Sequence, residues 1–263
     1  MLPRLNKKIF PPRTTFSPQK IEYFEKAASK NNTSINEAFW LLKVRKDNAA
    51  LVVFDKVLRV EPDNLDALWG KAEVKRRNRQ YDAAEDMLNE ILKKNPKHYS
   101  SLISLAYIRY KDGKLNEARK LISQVLVKDC HDRQDRALAY MMLGAINSSL
   151  SAKGWLFNKV KYGIQIKGCI LKARTLAPDL PEVHLGLGTF YLLAPVIMGG
   201  NLNQALKELE LAVKIAPDFA TANARLAQAY KKKGNLEKYN FYIQRARELD
   251  PKNEVLVDEK FRD

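Results

Sequence analysis

Two neighbouring stretches of the chain repeat one pattern: PEVHLGLGTFYLLAPVIMGGNLNQALKELELAVKIAPDF at residues 181–219 and ATANARLAQAYKKKGNLEKYNFYIQRARELDPKN at residues 220–253. The residues that define it are Leu187, Gly188, Tyr191, Ala205, Leu209, Ala212 and Pro217, then Leu226, Ala227, Tyr230, Gly234, Ile243, Ala246 and Pro251. Pro217 and Pro251 are 34 residues apart, and each ends a helix-turn-helix pattern. A period of this length is typical of helical repeat arrays.

The same period continues towards the start of the chain. Residues 31–64, 65–98 and 99–132 form three units with small residues at equivalent places: Ala38 and Ala50, Ala72 and Ala84, Ala106 and Ala118. Prolines return at the same phase as Pro62, Pro96, Pro178, Pro217 and Pro251. A non-repetitive helical bundle would not be expected to return proline at a fixed phase. Small residues let paired helices approach, and the proline stops the second helix.

Two repeats depart from the period, and segments of other character flank the array. Residues 133–180 form a fourth repeat with about ten extra residues around 148–161, and residues 181–219 form a fifth with about five extra within 193–201. Residues 220–253 complete six predicted repeats. We predict an extended basic leader at 1–16, a capping helix at 17–30 and a charged, solvated tail at 254–263.

In residue types and spacing, residues 31–253 resemble the tetratricopeptide repeat (TPR) family. The resemblance implies an all-α, right-handed α-solenoid of stacked helix-turn-helix repeats that binds other proteins. It also implies that the first helix of each repeat lines a concave groove. Carried onto this sequence, the groove positions are Ile35, Phe39, Trp69, Glu73, Arg76, Ile103, Tyr107 and Tyr110. The alternative is that some of these side chains pack against neighbouring repeats.

One function of the family depends on cationic and amide side chains at set groove positions. The carboxylate clamp that holds chaperone C-termini uses Lys, Asn and Arg at the fifth and ninth positions of neighbouring repeats. In the first two repeats these positions hold Ile35, Phe39, Trp69 and Glu73. The sequence therefore argues against a chaperone co-factor of that type.

The net charge is strongly positive, with 46 Lys and Arg against 30 Asp and Glu, a formal +16. Such an excess favours acidic partners, nucleic acid or an anionic membrane, although a lysine-rich solvated surface also explains it. Cys130 and Cys169 lack CxxC spacing and are expected to be buried free thiols. We find no spanning apolar run and a poor secretory signal, and therefore predict a cytoplasmic protein, with peripheral membrane contact as an option.

Basic residues recur at the turns between the two helices of the repeats. The predicted basic edge contains Arg76, Arg77, Arg79, Lys153, Lys159, Lys161, Lys231, Lys232 and Lys233, with Lys43, Arg45, Lys46, Lys111 and Lys114 at the earlier turns. The helix dipole offers a simpler explanation for any one of them. The insertion in repeat 4 adds Trp155, Leu156 and Phe157 to this edge, and the apolar insertion 195–200 lies there too. Both insertions could instead cover a neighbouring repeat.

No catalytic or metal-ligating pattern emerges from the sequence. His98, His131 and His184 lack ligand spacing and a nucleophile partner, and Gly199-Gly200 is not a phosphate-binding loop. We therefore predict a non-enzymatic scaffold, without cofactor or metal, that holds another protein or peptide in the groove and supports assembly of a larger complex. A second contact, to an acidic subunit or a membrane surface, and self-association stay open. The alternative is an RNA-binding helical-repeat protein.

Overall fold

Helices account for most of the described chain. The computed structural model describes residues 35–127, 130–153 and 156–257, without the side chains of 153, 156–161, 163 and 164. The leader, the capping helix and Trp155 lie outside the described residues. The helices are α1 (Ile35–Lys43), α2 (Asp47–Val60), α3 (Leu65–Arg77), α4 (Tyr81–Lys94), α5 (Tyr99–Lys111), α6 (Leu115–Val125), α7 (Arg133–Lys153), α8 (Leu156–Leu176), α9 (Pro181–Leu193), α10 (Leu202–Ile215), α11 (Ala220–Lys233), α12 (Leu236–Leu249) and α13 (Glu254–Val257).

The helices pack as six consecutive pairs, and the first helices of repeats 1, 2 and 3 lie beside one another. The small residues of the repeat pattern are buried where the paired helices meet, as at Ala72 and Ala84. Gly70 shows how close the packing is, because an added Cβ there would lie 2.1 Å from the ring of Phe54. The prediction of an all-α solenoid is confirmed.

The insertion in repeat 4 lengthens both of its helices. α7 and α8 have 21 residues each, whereas α9 has 13 and α10 has 14. Eight extra residues extend a helix by about 12 Å at about 1.5 Å per residue. The inserted residues therefore continue the helices up to their turn.

The insertion in repeat 5 forms a short 3₁₀ helix, Val196–Met198, between α9 and α10. Gly199 ends it with a φ of 101°, a left-handed conformation that glycine adopts without steric cost. Asn201 then starts α10, since its side chain accepts a hydrogen bond from the backbone N–H of Gln204 at 3.0 Å.

Two smaller features bear on the sequence predictions. The predicted solvated tail begins with α13, whose Val255 is buried against the last repeat. Cys130 and Cys169 are free and buried, as expected. Among the described helices, none combines the length and apolar character needed to cross a membrane.

The turns between the paired helices of repeats 1, 2, 3 and 6 share one left-handed residue. It is the fifteenth residue of the predicted repeat in each case: Arg45 (φ 68°), Arg79 (φ 61°), Gly113 (φ 76°) and Gly234 (φ 81°). Glycine is the favourable residue there, whereas a side chain in this conformation costs about 1–2 kcal/mol. Repeats 1 and 2 thus carry arginine where the backbone favours glycine.

Candidate functional site on the concave surface

Four aromatic side chains from α1, α3 and α5 lie at the predicted groove positions. The ring centroids of Phe39 and Trp69 are 5.9 Å apart, and those of Tyr107 and Tyr110 are 6.4 Å apart. All four are half-buried, as are Ile35 and Ile103. These residues therefore pack partly against their neighbours and keep part of their surface open to solvent.

Hydrogen bonds fix Trp69 in place. Its indole Nε1 donates to the Ser104 hydroxyl at 3.0 Å, and that hydroxyl donates to Glu73 Oε2 at 2.9 Å. Ser104 and Glu73 are buried, so both bonds are shielded from water. The orientation of the indole is set by repeats 2 and 3 together.

Glu73 is the centre of a buried ion-pair network, since it accepts from Arg76 at 2.5 and 2.8 Å and from Arg77 at 3.0 Å. Burial opposes ionisation of Glu73, but the two arginines and Ser104 outweigh it and hold its pKa well below the usual range. Arg77 also donates to Asp47 at 2.6 Å. Glu73 is therefore a structural carboxylate, engaged on several sides.

Arg76 links this network to the aromatic residues. Its guanidinium lies 4.1 Å from the ring centroid of Tyr107, a cation–π contact. Tyr110 is held from another side, where its hydroxyl accepts from Ser149 of α7 at 3.1 Å. The first helices of repeats 1 to 3 thus carry half-buried aromatic side chains that a polar network holds in place.

The structure changes the placement of part of the predicted basic edge. Arg76 and Arg77 lie in the network and are mostly buried, so the expectation of an exposed ridge is wrong for them. Arg79 pairs with Asp250 at 2.7 Å. Lys231, Lys232 and Lys233 are exposed as predicted. The side chains of Lys153, Lys159, Lys161, Leu156 and Phe157 are outside the described set.

Basic residues in the turns of repeats 1 to 3 instead contact acidic residues far along the chain. We name this set the clasp; its pairs are Lys43–Asp179 (2.5 Å), Arg45–Glu182 (2.6 Å), Lys46–Asp218 (2.8 Å), Arg79–Asp250 (2.7 Å) and Lys111–Glu254. Asp179 and Glu182 lie at the junction of repeats 4 and 5, Asp218 lies just before repeat 6, and Asp250 and Glu254 lie at the junction of repeat 6 and α13. The first three repeats are therefore tied to these three junctions through side chains.

Arg45 is the most enclosed member of the clasp. Its guanidinium lies 3.8 Å from the ring centroid of Phe219, and its side chain is 13% exposed. Burial, followed by the neighbouring Arg77, lowers the pKa of Arg45 to about 10, so it stays charged at neutral pH. Its Nε has no hydrogen-bond partner among the described residues.

Sequence reasoning did not identify the acidic half of the clasp, although a signal was present. Asp179 and Asp218 directly follow the prolines that end repeats 4 and 5, and Asp250 directly precedes Pro251. Acidic side chains at helix starts complement the helix dipole, which explains them locally without any distant partner.

Two buried histidines, His98 and His184, make contacts that hold the fold together. His184 Nδ1 lies 2.7 Å from Glu208 Oε2, and both side chains are buried. His98 Nδ1 accepts from the backbone N–H of Ser101 at 3.3 Å, at the start of α5. Within the described ranges, no group of three His, Cys, Asp or Glu residues is arranged to hold a metal.

Comparisons with known proteins agree with the repeat pattern. The family model of the tetratricopeptide repeat matches residues 48–105 and 75–140. A thermophilic TPR protein of Thermus thermophilus is 24% identical over 67% of this chain and 87% of its own, with a TM-score of 0.54. Human IFIT1, solved as a dimer with PPP-AAAA, is 20% identical over 90% of this chain and 55% of its own, with a TM-score of 0.58. No curated protein matches the chain.

Proposed function

Because this chain is a tetratricopeptide repeat protein, we propose that it is a non-enzymatic scaffold whose concave surface binds another protein. The bound element is an extended or helical segment that offers apolar side chains. The contact residues are Ile35, Phe39, Trp69, Ile103, Tyr107 and Tyr110. The observation that carries the proposal is the set of half-buried aromatic faces on adjacent first helices, held by a buried network.

Rigid aromatic faces suit this role because they supply contact area with little loss of conformational entropy. Trp69 is oriented by Ser104, and Tyr107 by Arg76, before any partner arrives. A helix or strand that presents apolar residues at regular spacing would bury these faces further. We expect most of the affinity to come from this apolar contact.

The charged residues of the groove take a supporting part. Glu73 forms ion pairs with Arg76 and Arg77, so each charge of this group is already paired within the chain. Binding through the aromatic faces should therefore depend weakly on salt. Phosphate binding, by contrast, weakens steeply as salt rises. The engagement of these arginines supports a protein partner over RNA.

The test is capture of a partner from a lysate of the native host at low and moderate salt, followed by its identification and a binding assay with purified components. Tyr107→Ala removes an aromatic face from the concave surface. Phe241→Ala is the matched control, because Phe241 is an exposed aromatic on α12. Circular dichroism and thermal unfolding establish that both variants are folded.

We expect one protein to be retained at moderate salt by the wild type and by Phe241→Ala, and to bind Tyr107→Ala at least tenfold more weakly. Equal binding by both variants would refute the groove assignment. Retention of RNA alone, lost on raising the salt, would favour the nucleic-acid alternative and overturn the proposal.

A further inference from the structure

A second surface lies at the turn between α9 and α10. Val196 is 86% exposed and Ile197 is 93% exposed, and Leu193 and Met198 beside them are also exposed. Four adjacent exposed aliphatic side chains are unusual for a soluble protein and indicate an interaction site. They project from a 3₁₀ turn, so a flat or soft partner suits them better than a cleft.

Lysine side chains flank this turn on two sides. From repeat 6, Lys232 Nζ donates to the backbone carbonyl of Leu192 at 3.4 Å. From repeat 4, Lys167 Nζ lies 3.4 Å from the position that a Cβ would take at Gly199. Lys231 and Lys233 are exposed in the last turn of α11. The apolar turn is thus bordered by cations from both neighbouring repeats.

The sequence keeps carboxylates out of this edge. Residues 148–168, 189–204 and 229–236, which include the inter-helix turns of repeats 4, 5 and 6, contain no Asp or Glu. The same ranges contain Lys153, Lys159, Lys161, Lys167, Lys231, Lys232 and Lys233. In repeats 1 to 3, by contrast, cations at the corresponding turns are engaged by the clasp. Of the lysines in these ranges, the four whose side chains are described, Lys167, Lys231, Lys232 and Lys233, are exposed.

We propose that this edge, which we name the lipid edge, docks onto an anionic lipid bilayer. Val196 and Ile197 would enter the interfacial region while the lysines lie over acidic headgroups. Protruding aliphatic side chains ringed by lysine match the two attractions that hold peripheral proteins on such membranes. A second copy of the chain would bring the same positive charge to the same surface, and RNA offers nothing apolar to the aliphatic side chains.

Cosedimentation of the full chain with lipid vesicles tests this proposal. Vesicles of phosphatidylcholine alone are compared with vesicles that also contain phosphatidylglycerol. One variant combines Val196→Asp with Ile197→Asp, and its control is Val60→Asp, at an exposed valine of α2. A second variant changes Lys231, Lys232 and Lys233 to Gln. Its charge-matched control changes Lys93, Lys94 and Lys97 to Gln, at the end of α4 and the turn after it.

We expect wild type and both controls to sediment with the anionic vesicles and to remain in solution with phosphatidylcholine alone. The triple lysine variant should bind about a hundredfold more weakly, since each near-surface lysine strengthens binding by roughly fivefold. Equal binding by the controls and the edge variants would overturn the proposal. An absence of vesicle binding would also overturn the proposal, whether the edge then binds an acidic protein, a second copy of the chain or nothing. The groove partner should bind all these variants alike, so a failure here is separable from a failure of the scaffold function.

Discussion

Arg45 and Arg79 offer a paired test of the clasp, because the same substitution is expected to have different effects at the two sites. Both residues have a left-handed backbone at the same position of their repeat. Both donate to a carboxylate more than 100 residues away, Arg45 to Glu182 and Arg79 to Asp250. They differ in burial, as the side chain of Arg45 is 13% exposed and that of Arg79 is 41% exposed.

Replacement by glycine changes two energies at each site. Relief of the left-handed conformation stabilises the fold by about 1–2 kcal/mol, and the extra freedom of glycine in the unfolded chain offsets about 0.4–1 kcal/mol of that gain. At Arg79 the loss of an exposed ion pair costs about 0.2–1 kcal/mol, so the net change should be near zero. At Arg45 the loss of the guanidinium leaves the half-buried Glu182 without its partner and removes a cation–π contact to Phe219. Together these cost about 3–5 kcal/mol. Arg45→Gly should therefore destabilise by about 2–4 kcal/mol.

Urea unfolding followed by circular dichroism measures both changes, with transitions compared by midpoint because repeat arrays need not unfold in two states. Small-angle scattering measures whether the ends of the array separate. We expect Arg79→Gly to keep the unfolding midpoint and Arg45→Gly to lower it. Equal destabilisation of the two variants would refute the reasoning from burial. An unchanged midpoint for Arg45→Gly would show that its contact with Glu182 is not formed in solution.

Three further substitutions test the packing and the buried charges, each by urea unfolding against wild type. Glu73→Gln should cost about 3–5 kcal/mol, because it leaves the mostly buried Arg76 guanidinium without its carboxylate partner and leaves Arg77 paired with Asp47 alone, and a loss below 1 kcal/mol would contradict the network. Burial raises the pKa of Asp135 to about 6, above its unfolded value, so its ionisation weakens the fold progressively as the pH rises from about 4 to 6 and to the full extent above that range. Asp135→Asn, which can still accept from Ser100, should stabilise by up to about 3 kcal/mol at pH 7, with no gain at pH 4. Gly70→Ala should cost about 1–3 kcal/mol through its clash with the ring of Phe54.

The repeat pattern predicts the fold well because its contacts are local. Ala72 and Ala84 belong to one buried cluster of a helix pair, and only twelve positions along the sequence separate them. The form of the insertion in repeat 4 was less accessible. Extra residues between two helices can form a loop or lengthen the helices, and the repeat period does not show which of the two arrangements is present. The structure has the second arrangement at α7 and α8.

The sequence predicts which residues occupy the candidate site, but it does not predict the contacts that those residues make. The family pattern predicts which faces of α3 and α5 line the groove, and it selects Trp69 on α3 and Tyr107 on α5. The pattern cannot show that Glu73 turns inward to two arginines, since that depends on Ser104 in the next repeat. The clasp lay further out of reach. Lys43 and Asp179 are 136 residues apart in the sequence, and Arg79 and Asp250 are 171 residues apart. No periodic sequence signal spans such distances.

The formal charge of +16 combines cations in enclosed ion pairs with cations on the exposed surface. Most of the enclosed pairs use arginine: Arg45, Arg76 and Arg77 make short, directed bonds to carboxylates with little access to water, and Lys43 is the enclosed lysine of the clasp. A planar guanidinium with several donors and weak hydration suits such positions. The exposed last turn of α11 carries Lys231, Lys232 and Lys233, whose ammonium groups are strongly hydrated and adapt to a diffuse field of negative charge. Pairing and burial therefore separate the cations that tie the array together, lysines such as Lys43 included, from the exposed lysines at the end of α11, which the net charge alone does not do.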